Sequence, residues 1–201
     1  MQALWAQLAE VWRTTSATEA AAVALALAYL ALAIRENILC WPAAFASSAL
    51  YVIVLFRARL YMESALNVFY AAMALYGYRQ WRGGAGSQPL RVRHWSWSRH
   101  LAGLAAIAVA SVLSSSALRH HTSAAWPFVD SMVTWSSAFA TFLVAQKIYE
   151  NWHWWFVIDS AALYLYYTRH LYATMLLFAL YLVLIVIGMR EWRRSMVVSH
   201  A

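Results

Sequence analysis

The sequence predicts an all-α integral membrane protein with seven transmembrane helices, and three features support this fold class. Hydrophobic residues make up 64% of the 201 residues and charged residues only 11%, whereas soluble domains average roughly 45–50% and 25%. Apolar blocks of about 20 residues recur along the chain, which is the length that a helix needs to cross a bilayer. An internal repeat, described below, gives these blocks an order.

The seven predicted helices follow one another along the chain. They are Ala17–Ile34, Asn37–Phe56, Tyr61–Trp81, Leu101–Leu118, Pro127–Gln146, Trp152–Thr168 and Leu171–Arg190. Helix is preferred to strand because the blocks are long, rich in alanine and leucine, and without period-two alternation. Pro42 and Pro127 lie near helix starts, where a missing N–H costs little. Residues 82–100, rich in Gly, Ser and Arg, are predicted as the one extended linker, and residues 1–16 as a short interfacial helix.

The net charge of +7 is explained by membrane topology better than by nucleic-acid binding, because the basic residues lie between apolar blocks. Seven spans put the two termini on opposite sides of the membrane. With the N-terminus outside, ten basic residues face the cytoplasm and five face the exterior. We therefore expect a multi-pass protein of the inner membrane with a cytoplasmic C-terminus. Residues 1–12 lack the basic leader and cleavage pattern of a signal peptide, so the first span is expected to be retained.

Two segments of the chain resemble each other, which indicates an internal repeat. Glu36, Asn37 and Trp41 match Glu150, Asn151 and Trp155 at an offset of 114, and Leu60, Tyr61, Tyr70, Gly77, Arg79 and Trp81 match Leu171, Tyr172, Tyr181, Gly188, Arg190 and Trp192 at an offset of 111. The predicted repeats are residues 17–81 and 127–192, joined by a linking helix at 101–118. That extra helix turns the chain over once, so the two three-helix repeats are parallel. This 3+1+3 order is SWEET-like, with a substrate path between the repeats.

Three residues of the sixth predicted span lie on one helical face, because Trp152, Trp155 and Asp159 are spaced i, i+3, i+7. A charged side chain at mid-bilayer costs about 2.5–3.5 kcal/mol and normally faces protein or water. Indoles beside a carboxylate form a site for a flat cationic ring. Two structural alternatives stay open, namely an interfacial belt role for Trp152 and a helix–helix hydrogen bond for Asp159.

The third predicted span carries a second polar face formed by Glu63, Asn67 and Tyr70 at the same spacing. Asn67 and Tyr70 supply donors and acceptors, which suits a small ligand held by aromatic walls and a few polar groups. Asn67 and Tyr70 are also compatible with interhelical hydrogen bonding, and Glu63 with a position among the lipid headgroups. A nucleoside-like vitamin satisfies the combined requirements of the two faces.

Other classes of protein are less well supported by the sequence. His120–His121 is an isolated pair without HxxxH boxes, so no metal or other cofactor is expected. Cys40, the single cysteine, excludes an internal disulfide and is expected to be a buried small residue. No GxxxxGK[ST] loop is present, so the chain is not its own ATPase. An integral membrane enzyme and a purely structural membrane protein remain the alternatives.

Two motifs resemble those of the Pnu family of bacterial vitamin transporters. Trp152-x-x-Trp155-x-x-x-Asp159 resembles the family motif WxxWxxx(N/D), and Asn67-x-x-Tyr70 resembles its NxxY motif. The stretches PFVDS (127–131) and YENW (149–152) are also similar to Pnu sequences. The resemblance extends over nearly the whole chain, and it implies a SWEET-like fold, a vitamin site at the residues of the two motifs, and no enzymatic activity. Glu63 is added to that site from its shared helical face.

The resemblance also implies uptake of a vitamin by facilitated diffusion, followed by phosphorylation by a cytoplasmic kinase that traps it. Family relatives transport nicotinamide riboside, thiamine or riboflavin. Asp159 suits the two cationic vitamins, so nicotinamide riboside is expected first and thiamine is the alternative. The expected partners are the vitamin, the lipid bilayer, a second copy of the chain in a homo-oligomer and the kinase, with no nucleic acid.

Overall fold

A computed structural model of the chain describes residues 2–57, 59, 61–83, 90–121 and 127–198. These residues form eight α-helices. They are α1 (Gln2–Thr14), α2 (Ala17–Ile34), α3 (Cys40–Arg57), α4 (Tyr61–Arg82), α5 (Trp97–His121), α6 (Pro127–Ala145), α7 (Asn151–Thr168) and α8 (Tyr172–Val198). Within the described ranges the one β-type contact is an isolated bridge between Arg93 and Ile148. The predicted all-α class is confirmed.

Most predicted helix boundaries agree with the observed ones to within one residue, and three helices show larger differences. α3 begins at Cys40 rather than Asn37, because the Asn37 side chain caps the turn by accepting a 2.9 Å hydrogen bond from the Leu39 N–H. α5 begins earlier than predicted, at Trp97, and α8 continues beyond Arg190. The predicted linker is shorter as a result, and its residues 84–89 lie outside the described part of the chain.

Five helices in the described part of the chain are long and apolar enough to cross a membrane. The qualifying segments are Ala17–Ile34, Cys40–Arg57, Trp97–Ser116, Pro127–Ala145 and Thr174–Val197. The other two predicted spans are helices α4 and α7, of 22 and 18 residues, but their polar side chains leave them less apolar than these five. All six candidate site residues lie on these two less apolar helices, α4 and α7.

Backbone features recur 111 residues apart. Helices α3 and α7 begin at Cys40 and Asn151, and α4 and α8 begin at Tyr61 and Tyr172. The four described non-glycine residues with left-handed backbone form two pairs at the same separation. They are Glu36 (φ 53°) with Lys147 (φ 51°), and Arg59 (φ 62°) with His170 (φ 57°). One offset therefore relates the two halves throughout, and the offset of 114 predicted for Glu36, Asn37 and Trp41 is wrong.

The corrected offset makes Trp152, rather than Trp155, the counterpart of Trp41. The Trp41 indole lies against Gly77, where a Cβ atom would overlap the ring, and it meets Trp81 edge-on at 5.4 Å and 89°. The same arrangement recurs in Trp152, Gly188 and Trp192, whose indole pair is at 5.4 Å and 87°. Glycine is required at both places because the indole occupies the volume of a side chain.

The two halves also bind each other reciprocally at one end of the molecule. The Trp81 N–H on α4 donates to the carbonyl oxygen of Val144 on α6 at 3.3 Å, and the Trp192 N–H on α8 donates to that of Ala33 on α2 at 2.9 Å. Ala33 and Val144 lie in the last turns of their helices, where carbonyl groups need partners from outside the helix. The C-terminal ends of α2 and α6 therefore meet α8 and α4 at a common end, which we call the tryptophan end.

The connection between α4 and α5 is bound to the same end. The Arg93 N–H donates to the Lys147 carbonyl at 3.1 Å, and the Tyr149 N–H donates to the Arg93 carbonyl at 2.9 Å. His94 Nδ1 lies 2.7 Å from Glu150 Oε1. At the opposite end, the Gln7 side chain of α1 donates to the His170 carbonyl at 2.7 Å. The chain termini are thus attached to opposite ends of the helical bundle.

We expect Gly77→Ala to lower the stability of the folded protein by about 1–3 kcal/mol, because the added methyl overlaps the Trp41 ring. Gly188→Ala should cost a similar amount through Trp152. The measurement is the Tm of the purified protein in detergent, with Leu75→Ala, at an exposed position of α4, as the control. An unchanged Tm in both glycine variants would contradict the indole–glycine packing.

Candidate functional site

Asp159 is a buried carboxylate without a cation beside it. It lies near the middle of the 18-residue helix α7, and 6% of its surface is exposed. No lysine, arginine or histidine lies within ion-pair distance of it in the described ranges. A buried charge is costly unless it is paired, and these residues supply no positive group that compensates it.

Tyr181 on α8 is an electrostatic neighbour of Asp159, and Tyr51 of α3 is in turn a neighbour of Tyr181. The Tyr181 ring also packs edge-on against Phe178 at 5.7 Å and 77°. The carboxylate thus has one tyrosine among its neighbours, and that tyrosine packs against a further aromatic ring. Aromatic and hydroxyl groups of this kind are common in sites for small ligands.

Tyr70 has different neighbours. Its hydroxyl group lies within hydrogen-bonding reach of the Ser137 side chain on α6, and Tyr29 of α2 is also close to it. Tyr70 and Tyr181 are counterparts at the 111-residue offset, so each half of the molecule contributes one tyrosine near the middle of its last helix. Tyr70 is half-buried in the structure.

The other two candidates on α4 differ in exposure, because Asn67 is half-buried and Glu63 is exposed. The Asn67 amide donates to the Glu63 main-chain carbonyl at 2.9 Å, one turn earlier in the same helix. Glu63 is exposed in the first turn of α4. This hydrogen bond is local to α4 and does not involve the Glu63 carboxylate. Because that carboxylate is exposed, its charge needs no partner.

The two candidate tryptophans have different surroundings. Trp152 is 2% exposed and packs on Gly188 and Trp192, so it belongs to the core of the tryptophan end. Its indole N–H has no hydrogen-bond partner among the described residues, but the same holds for its counterpart Trp41, so this feature follows from the repeated packing. Trp155 is half-buried against that core, and it lies one turn closer to Asp159 than Trp152 does.

A cavity of about 620 Å³ opens at the tryptophan end rather than beside Asp159. Its charged lining residues are Arg35, Glu36, Arg91, Glu191 and Arg194. None of the six candidate residues lines it.

Tyr181 is a residue that the sequence predictions did not include in the site. The signal for it was present, since Tyr70 and Tyr181 match in the internal repeat. The proximity of Tyr181 to Asp159 was not readable from the sequence, because it depends on how α8 packs against α7. Tyr51 is not matched in the internal repeat, so the sequence did not indicate it.

The apolar helices long enough to cross a bilayer define a multi-pass membrane protein, and its family match identifies the transporter class. The chain belongs to the nicotinamide mononucleotide transporter family, whose model matches residues 16–194. The predicted membership of the Pnu family of vitamin transporters is thereby confirmed.

Two individual proteins are similar to this chain. The riboflavin/roseoflavin transporter RibM of Streptomyces davaonensis is 28% identical to it over 172 residues, which cover 84% of this chain and 80% of RibM. The crystal structure of the vitamin B3 transporter PnuC matches with a TM-score of 0.71 and 21% identity, over 96% of this chain and 88% of that chain. The second similarity supports the fold and extends over almost the entire length.

We expect Trp152→Ala to cost about 3–5 kcal/mol of stability, because it empties a fully packed site. Trp155→Ala should cost clearly less, since its ring is half-buried. The measurement is Tm in detergent, with Trp41→Ala as the structural counterpart that should lose as much as Trp152→Ala. Equal losses at positions 152 and 155 would contradict the different surroundings assigned to the two indoles.

Proposed function

We propose that the chain is a seven-helix transporter in which α2–α4 (residues 17–82) and α6–α8 (residues 127–198) are parallel repeats joined by α5, in a SWEET-like 3+1+3 order. The constant offset of 111 in helix starts and left-handed residues supports this. The reciprocal contacts of α4 with α6 and of α8 with α2 support a two-fold relation between the repeats. The substrate path then runs between the repeats.

The tryptophan end is proposed to face the cytoplasm. The ten basic residues predicted for the inside belong to helix ends and turns at the tryptophan end. They are Arg35, Arg79, Arg82, Arg91, Arg93, Arg99, Lys147, Arg190, Arg193 and Arg194. Positively charged segments are retained in the cytoplasm, so the N-terminal helix α1 lies at the outer end.

The proposed substrate is a cationic vitamin with an aromatic ring, and nicotinamide riboside fits best. The observation that carries this proposal is the burial of Asp159 without a protein cation. A positive nicotinamide ring neutralises the carboxylate, Trp155 offers a π-face, and the tyrosine hydroxyls of Tyr70 and Tyr181 suit the ribose. Thiamine shares the positive charge and the aromatic ring, so it is the second cationic candidate. Asn67 and Glu63 are assigned to the outer approach to this site.

Riboflavin is a further candidate because the similar RibM is named as a riboflavin/roseoflavin transporter. Its flavin ring is neutral, so it gains nothing from the charge of Asp159. A riboflavin carrier would use the tyrosines and Trp155 as stacking and hydrogen-bonding surfaces instead. The charge dependence of binding therefore separates the two kinds of substrate.

We expect Asp159→Asn to weaken binding of nicotinamide riboside and thiamine by about tenfold or more, a loss of roughly 1.4 kcal/mol, because it removes the neutralising charge. Riboflavin binding should change little. The experiment titrates purified protein with each of the three vitamins. Asp130→Asn is the matched control, since Asp130 is an exposed carboxylate in the first turn of α6.

The titration has two informative failures. If nicotinamide riboside and thiamine bind Asp159→Asn as tightly as the parent, the carboxylate is not the cation site. If the parent binds riboflavin and neither cationic vitamin, the riboflavin alternative replaces the present proposal.

Transport is proposed to be facilitated diffusion, with accumulation driven by a cytoplasmic kinase that phosphorylates the vitamin. In proteoliposomes without kinase, nicotinamide riboside should reach the external concentration and stop there, with or without a proton gradient. Enclosed kinase and ATP should raise the total internal vitamin above that level. Accumulation without kinase that disappears when the proton gradient is collapsed would instead indicate proton coupling.

A further inference from the structure

Lys147, in the turn between α6 and α7, is a buried cation. Its Nζ lies 2.7 Å from Glu36 Oε2 in the turn between α2 and α3, and the two side chains are 11% and 19% exposed. The same Nζ lies 4.6 Å from the centre of the Trp81 ring. Salt and water screen such a pair less than a surface pair, and the indole adds a cation–π attraction.

The two partners occupy equivalent positions in the two halves. Glu36 and Lys147 are 111 residues apart and share the left-handed backbone, at φ 53° and 51°. A contact between equivalent positions of two repeats lies on the axis that relates them. The Glu36–Lys147 pair therefore bridges the repeats at their axis, between the reciprocal bonds that Trp81 and Trp192 make.

We propose that the Glu36–Lys147 ion pair is a latch that keeps the tryptophan end of the transporter closed and breaks each time that end opens. This inference rests on the proposed function, in which a vitamin bound beside the buried Asp159 leaves along a path between the repeats. Opening that path at the tryptophan end moves the repeats apart, and the ion pair joins one repeat to the other.

The single cysteine of the chain reports on this opening. Cys40 is the first residue of α3 and is 0% exposed, and it lies close enough to Lys147 to interact with its charge. A maleimide reaches its sulfur only when the tryptophan end opens. The rate of Cys40 labelling by N-ethylmaleimide in the purified full-length protein should therefore rise when the tryptophan end opens more often.

We expect Glu36→Gln and Lys147→Met to speed Cys40 labelling by about tenfold or more, because each leaves the closed state with one charge unpaired. The double exchange Glu36→Lys with Lys147→Glu should restore a rate near that of the parent. In that variant the lysine is at position 36. By the symmetry of the repeats it should lie near Trp192, as Lys147 lies near Trp81 in the parent. Equivalent backbone at the two positions makes the exchange geometrically acceptable.

Two controls separate the latch from general loosening. Arg194→Met removes an ion pair at the same end, but that pair, with Glu191 at 2.8 Å, lies within α8 and is exposed, so labelling should not change. Gly103→Ala disturbs the packing of α5 on Phe139 of α6 while leaving the latch intact. It should lower Tm without speeding Cys40 labelling.

The latch is overturned if the single variants label at the parental rate, if Gly103→Ala labels as fast as they do, or if the double exchange fails to slow labelling relative to the single variants. No vitamin is needed in this experiment. A failed latch would therefore leave the transporter proposal standing, whereas a parent protein that transports no vitamin would overturn that proposal whatever the labelling rates.

Discussion

The compensation of buried charge governs the arrangement of this protein. Within the described ranges, Lys147 and Asp159 are the buried members of the residue types that carry a permanent charge at neutral pH. The protein surrounds Lys147 with a carboxylate and an indole face, whereas the neighbour identified for Asp159 is the uncharged Tyr181. Because a lone charge in a low-dielectric interior is unfavourable, Lys147 is compensated within the protein, and in the proposed function a cationic ligand compensates Asp159.

The same constraint explains the composition of the helices. Those that carry the candidate residues, α4 and α7, are the two predicted spans that are less apolar than the rest. Polar residues in a membrane helix face the protein interior or a water-filled cavity, so these helices require neighbours on their polar sides. Helix α6 provides one such neighbour by packing between α4 and α7.

The duplicated backbone carries different chemistry in its two halves. Glu36 and Lys147 correspond and have opposite charges, and the counterpart of Asp159 is Ser48, which is buried without a charge. The two halves therefore share a backbone arrangement but differ in charge, with one ion pair between equivalent turns and one carboxylate in α7 alone. In the proposed function a single small ligand needs only one such carboxylate, which would explain this asymmetry.

Hydropathy and the repeat predicted most of the fold, because a helix that faces lipid must be apolar along its whole length. α2 was predicted at both ends, and the other helices differ mainly at their termini, where capping side chains such as Asn37 decide the boundary. The offset of 114 was wrong because it was based on sequence identities around Glu36 and Trp41. The contact that pairs Trp41 with Trp152, an indole packed on a glycine, is visible only in the structure. The Glu36–Lys147 pair was not predictable, since it joins turns that are remote in sequence and meet only after the two halves dock.

In the proposed site, the charge of the ligand is the property expected to be distinguished most strongly. A neutral flavin beside Asp159 would leave the carboxylate buried and unpaired, so flavin binding would gain nothing from that charge. A nicotinamide or thiazolium ring would use the same aromatic surfaces and would also neutralise the carboxylate. At 28% identity, the similarity to RibM is compatible with a different ligand, because a change at one charged position is sufficient to reverse the preference between a neutral and a cationic ring.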